Sequence, residues 1–266
     1  MPPCQQAVGK TDFCCMLARK CARTGRSESQ QMDHLKTIPL LAGLDSDLCD
    51  GFSKRCAWRT YQPHELIIDH HEQSHDVRFI ITGSARIVVR MVEGREVIFN
   101  DCNAGEFFGE LAAIDGGARS ASVTAVTKVR LCIMPQAVFK EICDCAPEIA
   151  WRIMNHLVAN IRRLSDRLSE FSFLKAKHRL YAELLRLSRP RQLAQTGADD
   201  DAPNAQRIIS PAPPQSDIAD RIASRREIVS REMKALERIG VLERSKGGVI
   251  IADPDRLQRM ASEGWN

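Results

Sequence analysis

A chain of 266 residues is too long for one small domain and comfortable for two, and 44% hydrophobic with 27% charged residues is ordinary for a soluble globular protein. No stretch approaches the roughly 20 apolar residues that a membrane helix needs. The start, MPPCQQAVGKTDFCC, has no apolar run of signal-peptide length. The expected location is therefore the cytoplasm, with no membrane partner and with the ten cysteines mostly reduced. The net charge of +4 is unevenly spread. Residues 32–150 carry 12 Lys and Arg against 17 Asp and Glu, and residues 151–191 carry 10 against 3. An acidic front and a basic back suit a sensor joined to a nucleic-acid-binding part.

Residues 1–31 show neither helical nor strand periodicity and are expected to form a loose tail. Met32 opens the first organised segment and is a candidate translation start. From about Leu35 to Ser53 the spacing of Leu40, Leu41, Leu44 and Leu48 predicts helix. Between Cys56 and Met134 the texture changes to short β-type runs: ELIID, VRFIITG, ARIVVRMV, REVIFND and KVRLCIM. Turn chemistry separates them, at Gly83-Ser84, Glu93-Gly94, Asn103-Ala104-Gly105 and Asp115-Gly116-Gly117, which predicts an all-β barrel or sandwich. After Pro135 the pattern is helical again, and Pro147 suits the first turn of a long helix. On it Leu157, Ile161, Leu164, Leu168 and Phe171 follow steps of four and three, a heptad seam that predicts pairing with an identical helix. A second helix over roughly Lys177–Arg189 precedes a linker, Arg191–Pro214, holding Gly197, three consecutive aspartates and four prolines, with a short strand expected at Arg207–Ile209. Two short helices, Gln215–Ala223 and Arg226–Gly240, and a hairpin around Lys246-Gly247-Gly248 complete the outline of a winged helix. No internal repeat is present.

The most informative stretch is AGEFFGELAAIDGGARSASVTA, starting at Ala104. Gly109 lets the backbone approach a ligand, and exposed N–H groups then face an anion. A guanidinium such as Arg119 makes paired hydrogen bonds to a phosphate, Ser120 adds a donor, and Glu110 fits there only when aimed at hydroxyls such as those of a ribose. The run F-G-E-L-A, a short spacer and R-S-A resembles the phosphate-binding cassette of cyclic-nucleotide-binding domains. The resemblance implies that Arg119 clamps the cyclic phosphate with Ser120, that Glu110 takes the ribose 2′-hydroxyl, and that the backbone of Gly109, Glu110 and Leu111 supplies donors. In bacterial members a Thr-Ser pair on the long helix holds the base. Leu164-Ser165 stands at those positions here, so Ser165 matches and Leu164 does not, leaving cAMP against cGMP open.

SDIADRIASRREIVSREMKAL, from Ser216 to Leu236, holds two helices with inward Ile218, Ala219, Ile222, Ile228, Val229, Met233 and Leu236. Outward at the start of the second helix are Arg226, Glu227 and Arg231. Arginine reads guanine O6 and N7, and glutamate accepts from cytosine N4. This resembles the helix-turn-helix of the catabolite-activator and fumarate-nitrate regulator family, whose recognition helix carries R-E-x-x-x-R. Ala223 replaces a common turn glycine and Arg225 a common capping residue, with Ser224 as a substitute cap. The catabolite activator is itself one of the standard illustrations of this docking geometry. The resemblance implies an α+β protein: a cyclic-nucleotide-binding β-roll (jelly-roll) over 32–146, a dimerisation helix over 147–174 and a winged helix-turn-helix domain over 175–266. It implies a homodimeric transcription regulator under cAMP or cGMP, binding a palindromic operator through Arg225, Arg226, Glu227 and Arg231, with RNA polymerase as partner.

Rival readings place the sensor elsewhere. Cys4, Cys14, Cys15 and Cys21 offer four ligands for an iron–sulfur cluster, but their spacing does not match the family's pattern. His70, His71 and His75 lie on an expected β-turn and form a haem or metal alternative, a solvated loop being the plainer reading, so no metal is expected. A member acting without ligand is a further alternative. Catalysis is not expected, since the chain shows no Walker-type phosphate loop, kinase H-R-D or H-E-x-x-H.

Overall fold

The computed structural model describes residues 34–90, 96–191 and 206–265. The expectations for the tail, for Met32, for the four N-terminal cysteines, for the Glu93-Gly94 turn and for Gly197 with its aspartates lie outside the described residues. The described chain divides into two compact units, one comprising residues up to Val89 with Asn100–Leu157, the other Arg90–Phe99 with Val158 onward.

The first unit opens with two 3-10 turns, Leu35–Thr37 and Pro39–Leu41, and helix α1, Ser46–Ser53. The single helix expected from Leu35 to Ser53 is thus broken. Pro39 starts the second turn, Gly43 adopts φ +92, and Asp45 begins a new helix by accepting from the amides of Asp47 and Leu48. The apolar spacing still marks burial, since Leu41 is buried and Leu40, Leu44 and Leu48 pack against the same core.

Eight strands follow: β1 Ala57–Tyr61, β2 Leu66–Ile68, β3 Val77–Thr82, β4 Ser84–Arg90, β5 Glu96–Asn103, β6 Phe107–Phe108, β7 Ser122–Ala125 and β8 Val129–Met134. They form two four-stranded sheets, ordered β1-β8-β3-β6 and β2-β7-β4-β5, as expected for a β-roll. The registers that hold them are antiparallel, with Ala57 opposite Ile133, Phe79 opposite Cys132 and Ile87 opposite Val123. Ile80 and Leu131 are fully buried against residues of the second sheet, whereas Phe79, on the opposite face of β3, is buried among the helical residues Leu35, Phe139 and Ile149. Helix α2, Glu110–Asp115, lies between β6 and β7 and is bracketed by two left-handed glycines, Gly109 at φ +87 and Gly116 at φ +76. Helix α3, Gln136–Cys145, closes the core through Val138, Phe139 and Ile142.

Helix α4 runs from Pro147 to Phe173, 27 residues starting on its proline as expected. Ile149 and Ile153 are buried in the first unit's core, and Leu157 packs partly against it. A stripe of Ile161, Leu164, Leu168 and Phe171 is exposed, Ile161 and Leu168 by 63% and 67%. Trp151, Met154 and Val158 extend that stripe toward the helix start. Leu157, the first residue of the expected seam, therefore belongs partly to its own domain.

The second unit contains α5, Ala176–Leu187; β9, Arg189–Pro190; β10, Arg207–Ile209; α6, Gln215–Arg221; α7, Arg226–Arg238; β11, Leu242–Ser245; β12, Gly248–Ile251; and α8, Pro254–Ser262. The hairpin β11–β12 joins a sheet ordered β11-β12-β10-β9. Its core is Leu180, Leu184, Ile218, Val229, Leu236, Ile251 and their neighbours. Helix α8 was not expected from the sequence. It starts where Asp253 caps the amide of Arg256 at 2.9 Å and Pro254 takes the first helical position. Among the described residues no helix is long and apolar enough to cross a membrane.

Candidate nucleotide and nucleic-acid sites

Arg119 is 3% exposed and its guanidinium is held from three sides. Nε donates to Ser74 Oγ at 2.9 Å, Nη1 to the Gly109 carbonyl at 2.9 Å and Nη2 to the Asp76 carbonyl at 2.8 Å. The Asp76 carboxylate is also 3.2 Å from Nη2. The backbone is fixed as well: the Arg119 amide donates to the Glu72 carbonyl, and the His71 amide donates to the Arg119 carbonyl, both at 3.1 Å. Burial lowers the pKa of Arg119, while Asp76 raises it. Guanidinium stays charged under such shifts, and with five N–H donors it keeps capacity for a further acceptor.

Gly109 explains how the arginine fits. A Cβ built there would come 2.5 Å from Arg119 Nη1 and 3.0 Å from the Asp76 carbonyl. Only a residue without a side chain admits the guanidinium at this approach, and the left-handed φ favours the same choice.

Glu110 opens α2 and is 8% exposed. Burial pushes its carboxyl above the usual carboxylate range, opposed by its own backbone N–H, by His156 and by Arg119. His156 comes from α4, with its ring 4.6 Å from that of Phe107, the residue that leads into the cassette. Leu111 is 48% exposed, so its side chain faces solvent beside the backbone assigned to the ligand. Ser120 is exposed at the end of the cassette. Ser165 is exposed on the part of α4 that belongs to the second unit. The structure thus gathers Gly109, Glu110, Leu111 and Arg119 in one place. It adds Ser74, Asp76 and His156, which sequence reasoning missed. None of the three is near the motif in the chain, and no local pattern marks them.

His70 and His71 occupy the turn closed by the Glu72 amide on the Asp69 carbonyl, with ring centroids 3.7 Å apart. His75 contacts the Gly116 carbonyl at 3.1 Å. Among the described residues no group of three or more His, Cys, Asp or Glu is arranged to hold a metal ion.

In the second unit α6 and α7 form a helix-turn-helix. Ile218, Ala219, Ile222, Val229, Met233 and Leu236 are buried, and Ile228 is half-buried. Ala223 takes φ +46 in the turn, and the Ser224 amide donates to the Ala219 carbonyl at 2.9 Å. Ser224 does not cap α7. The N-cap is Arg225, in extended conformation and without a side-chain cap, because the turn spends residues 222–224 on reversing the chain. Arg225, Arg226, Glu227 and Arg231 are all exposed on one end of α7, and Arg231 is 3.3 Å from Glu232. An exposed pair of that kind holds the arginine only loosely.

Behind the helices lies a buried charge cluster that the sequence did not announce. Glu183, 1% exposed on α5, has Arg167 and Arg221 each at 3.7 Å and is hydrogen-bonded by Arg186. Arg167 also donates to the carbonyls of Arg221 at 2.7 Å and Phe99 at 2.8 Å. The end of α6 is thereby tied to α4 and α5.

Comparison with known proteins agrees with this architecture. Residues 58–144 match the family described as cyclic nucleotide-binding domain, and residues 178–260 match the Crp-like helix-turn-helix domain, together more than half of the chain. The CRP-like cAMP-activated global transcriptional regulator of Mycobacterium tuberculosis is 29% identical over 68% of this chain and 78% of its own length. The cAMP-activated global transcriptional regulator CRP of Salmonella typhimurium is 26% identical over 71% of this chain and 86% of its own. The structure of FixK2 from Bradyrhizobium japonicum superposes with a TM-score of 0.63 at 19% identity, covering 77% of this chain and 96% of that one, a likeness of fold. The chain belongs to the catabolite-activator and fumarate-nitrate regulator family of transcription regulators, with a cyclic-nucleotide-binding domain ahead of a Crp-like helix-turn-helix.

Proposed function

We propose that this regulator binds a cyclic nucleotide, cAMP or cGMP, in its β-roll and a palindromic operator through α7, as a cytoplasmic homodimer that works with RNA polymerase and has no catalytic activity. The division of labour is a β-roll over 32–146, a dimerisation helix over 147–174 and a DNA-binding domain over 175–266. Arg119 and Ser120 take the cyclic phosphate, and Glu110 takes the ribose hydroxyl. The backbone of Gly109, Glu110 and Leu111 completes the cradle, and Ser165 meets the base. The observation that carries this reading is the buried Arg119 guanidinium, packed against a glycine that has room for nothing larger.

The exposed stripe from Trp151 to Phe171 supports pairing with a second α4, since a row of large apolar side chains at heptad spacing is stable only when covered. Arg226 and Arg231 read guanine edges and Glu227 reads a cytosine, with Arg225 beside them on the same groove. Ligand acts by favouring the state in which two recognition helices lie about 34 Å apart, one helical turn of DNA. Calorimetric titration with cAMP and separately cGMP tests the reading, with Arg119→Leu as control. Saturable binding that the variant loses supports it. No binding of either nucleotide by the parent protein overturns the ligand half and leaves the DNA-binding half standing.

A further inference from the structure

Arg78 on β3 is 6% exposed, and neither the cassette motif nor the proposed ligand contacts use it. Burying a second guanidinium so close to Arg119 is costly unless it has work that an apolar residue could not do. Its Nε donates to Asp76 Oδ2 at 2.7 Å, its Nη1 donates to the Ile67 carbonyl, and its Nη2 is 3.9 Å from Glu72 Oε1. The other oxygen of the same carboxylate, Asp76 Oδ1, faces Arg119 Nη2 at 3.2 Å. One carboxylate therefore bridges two buried arginines, one of them the phosphate clamp.

Asp76 occupies the position of a competitor. A phosphodiester arriving at Arg119 carries the same sign of charge as the carboxylate already there, so the two repel while sharing a donor. Arg78 changes that balance in two ways. It draws the carboxylate toward itself through the short Nε contact, and it neutralises the charge that the incoming phosphate would otherwise meet. Resting on the reading of Arg119 as phosphate clamp, we propose that Arg78 is a positioning residue that holds and neutralises Asp76, and thereby sets how tightly Arg119 takes an anionic ligand. Asp76 is the internal anion against which the phosphate must compete. Its backbone carbonyl is a separate matter: that oxygen holds Arg119 at 2.8 Å and survives any change of side chain.

The test is calorimetric titration of the full chain with 3′,5′-cyclic AMP at fixed salt, using Arg78→Met, Asp76→Asn and the double variant. Arg78→Met is expected to weaken binding about tenfold, because the carboxylate charge then falls wholly on Arg119. Asp76→Asn should bind as tightly as the parent or tighter, and the double variant should return to within about threefold of Asp76→Asn, since without the carboxylate Arg78 has nothing to neutralise. Damage to the fold alone would not be repaired by removing a second charge. If Arg78→Met does not fold, comparison of Asp76→Asn with the double variant still decides: a large loss in the double overturns the proposal. Arg78→Met binding like the parent overturns it too. Should Arg119→Leu also bind like the parent, the clamp reading itself has failed, which is a separate result.

Discussion

The two sets of functional arginines are built on opposite plans. Arg119 is 3% exposed, wrapped by Ser74, Asp76 and Gly109, and its conformation is fixed before any ligand arrives. Arg226 and Arg231 stand exposed at the start of α7, on a helix whose opposite face is buried in Val229, Met233 and Leu236. The buried plan gives a preorganised site for one small anion and ties function to packing. The exposed plan separates the two: helix packing lies on one face and reading on the other, so a change of reader leaves the fold intact. A small ligand has few atoms with which to organise a site, whereas DNA supplies a large surface against which mobile side chains become ordered.

The comparison predicts that substitutions packed against the Arg119 guanidinium lose binding and stability together, and Gly109→Ala should be the most severe. The added carbon meets the guanidinium and a left-handed backbone, about 1–3 kcal/mol of strain before any repacking, so a drop in Tm and a loss of most nucleotide affinity are expected in parallel. Intact nucleotide binding in that variant would break the buried half of the comparison. Arg226→Ala is next. It should cost about 1–3 kcal/mol of operator binding, with discrimination relaxed at one base position and the Tm little changed. Uniform weakening on all sequences in an anisotropy titration would instead mark Arg226 as a phosphate contact.

Smaller effects sharpen the contrast. Burial raises the pKa of Glu110, so its carboxyl contributes stability that is present below its unfolded pKa and lost as pH rises through the folded value. Glu110→Gln should therefore raise the Tm at pH 7, with the gain vanishing below about pH 4, while nucleotide affinity falls. A variant less stable at pH 7 would show that the contacts of Glu110 outweigh its burial. In the exposed region Ala223→Gly relieves a positive φ at the cost of a looser unfolded chain. The net gain expected in thermal unfolding is about 0.5 kcal/mol, with DNA binding unaffected.

Elements with a strong local signature were legible. The strand at Arg207–Ile209, the proline start of α4, and the two helices with their hairpin all rest on periodicity and turn chemistry within a few residues of each other. Through Pro39 and Gly43 the apolar spacing continues although the helical backbone cannot, so periodicity alone predicts helix where the chain turns. Helix α8 carries a local signal too, the Asp253-Pro254 cap at its start. In the candidate site the motif identified Gly109, Glu110 and Arg119, because a phosphate cradle is built from neighbours in the chain. Ser74 and Asp76 reach Arg119 from 43 and more residues away, and Glu183 collects Arg167 from α4 and Arg221 from α6. Contacts of that kind are products of the fold and have no local pattern.

The cluster around Glu183 has a consequence for how this protein tolerates change. Three guanidiniums share one carboxylate, so the arginines are partly redundant and the acid is not. A population of variants should accumulate replacements at Arg186, which reaches toward solvent and has Glu170 as a second partner. Almost none should arise at Glu183, whose loss would take from the buried Arg167 and Arg221 the carboxylate they share. The joint beneath the helix-turn-helix is thus tolerant at Arg186 and brittle at Glu183, an asymmetry that a saturation library selected for folding alone would display.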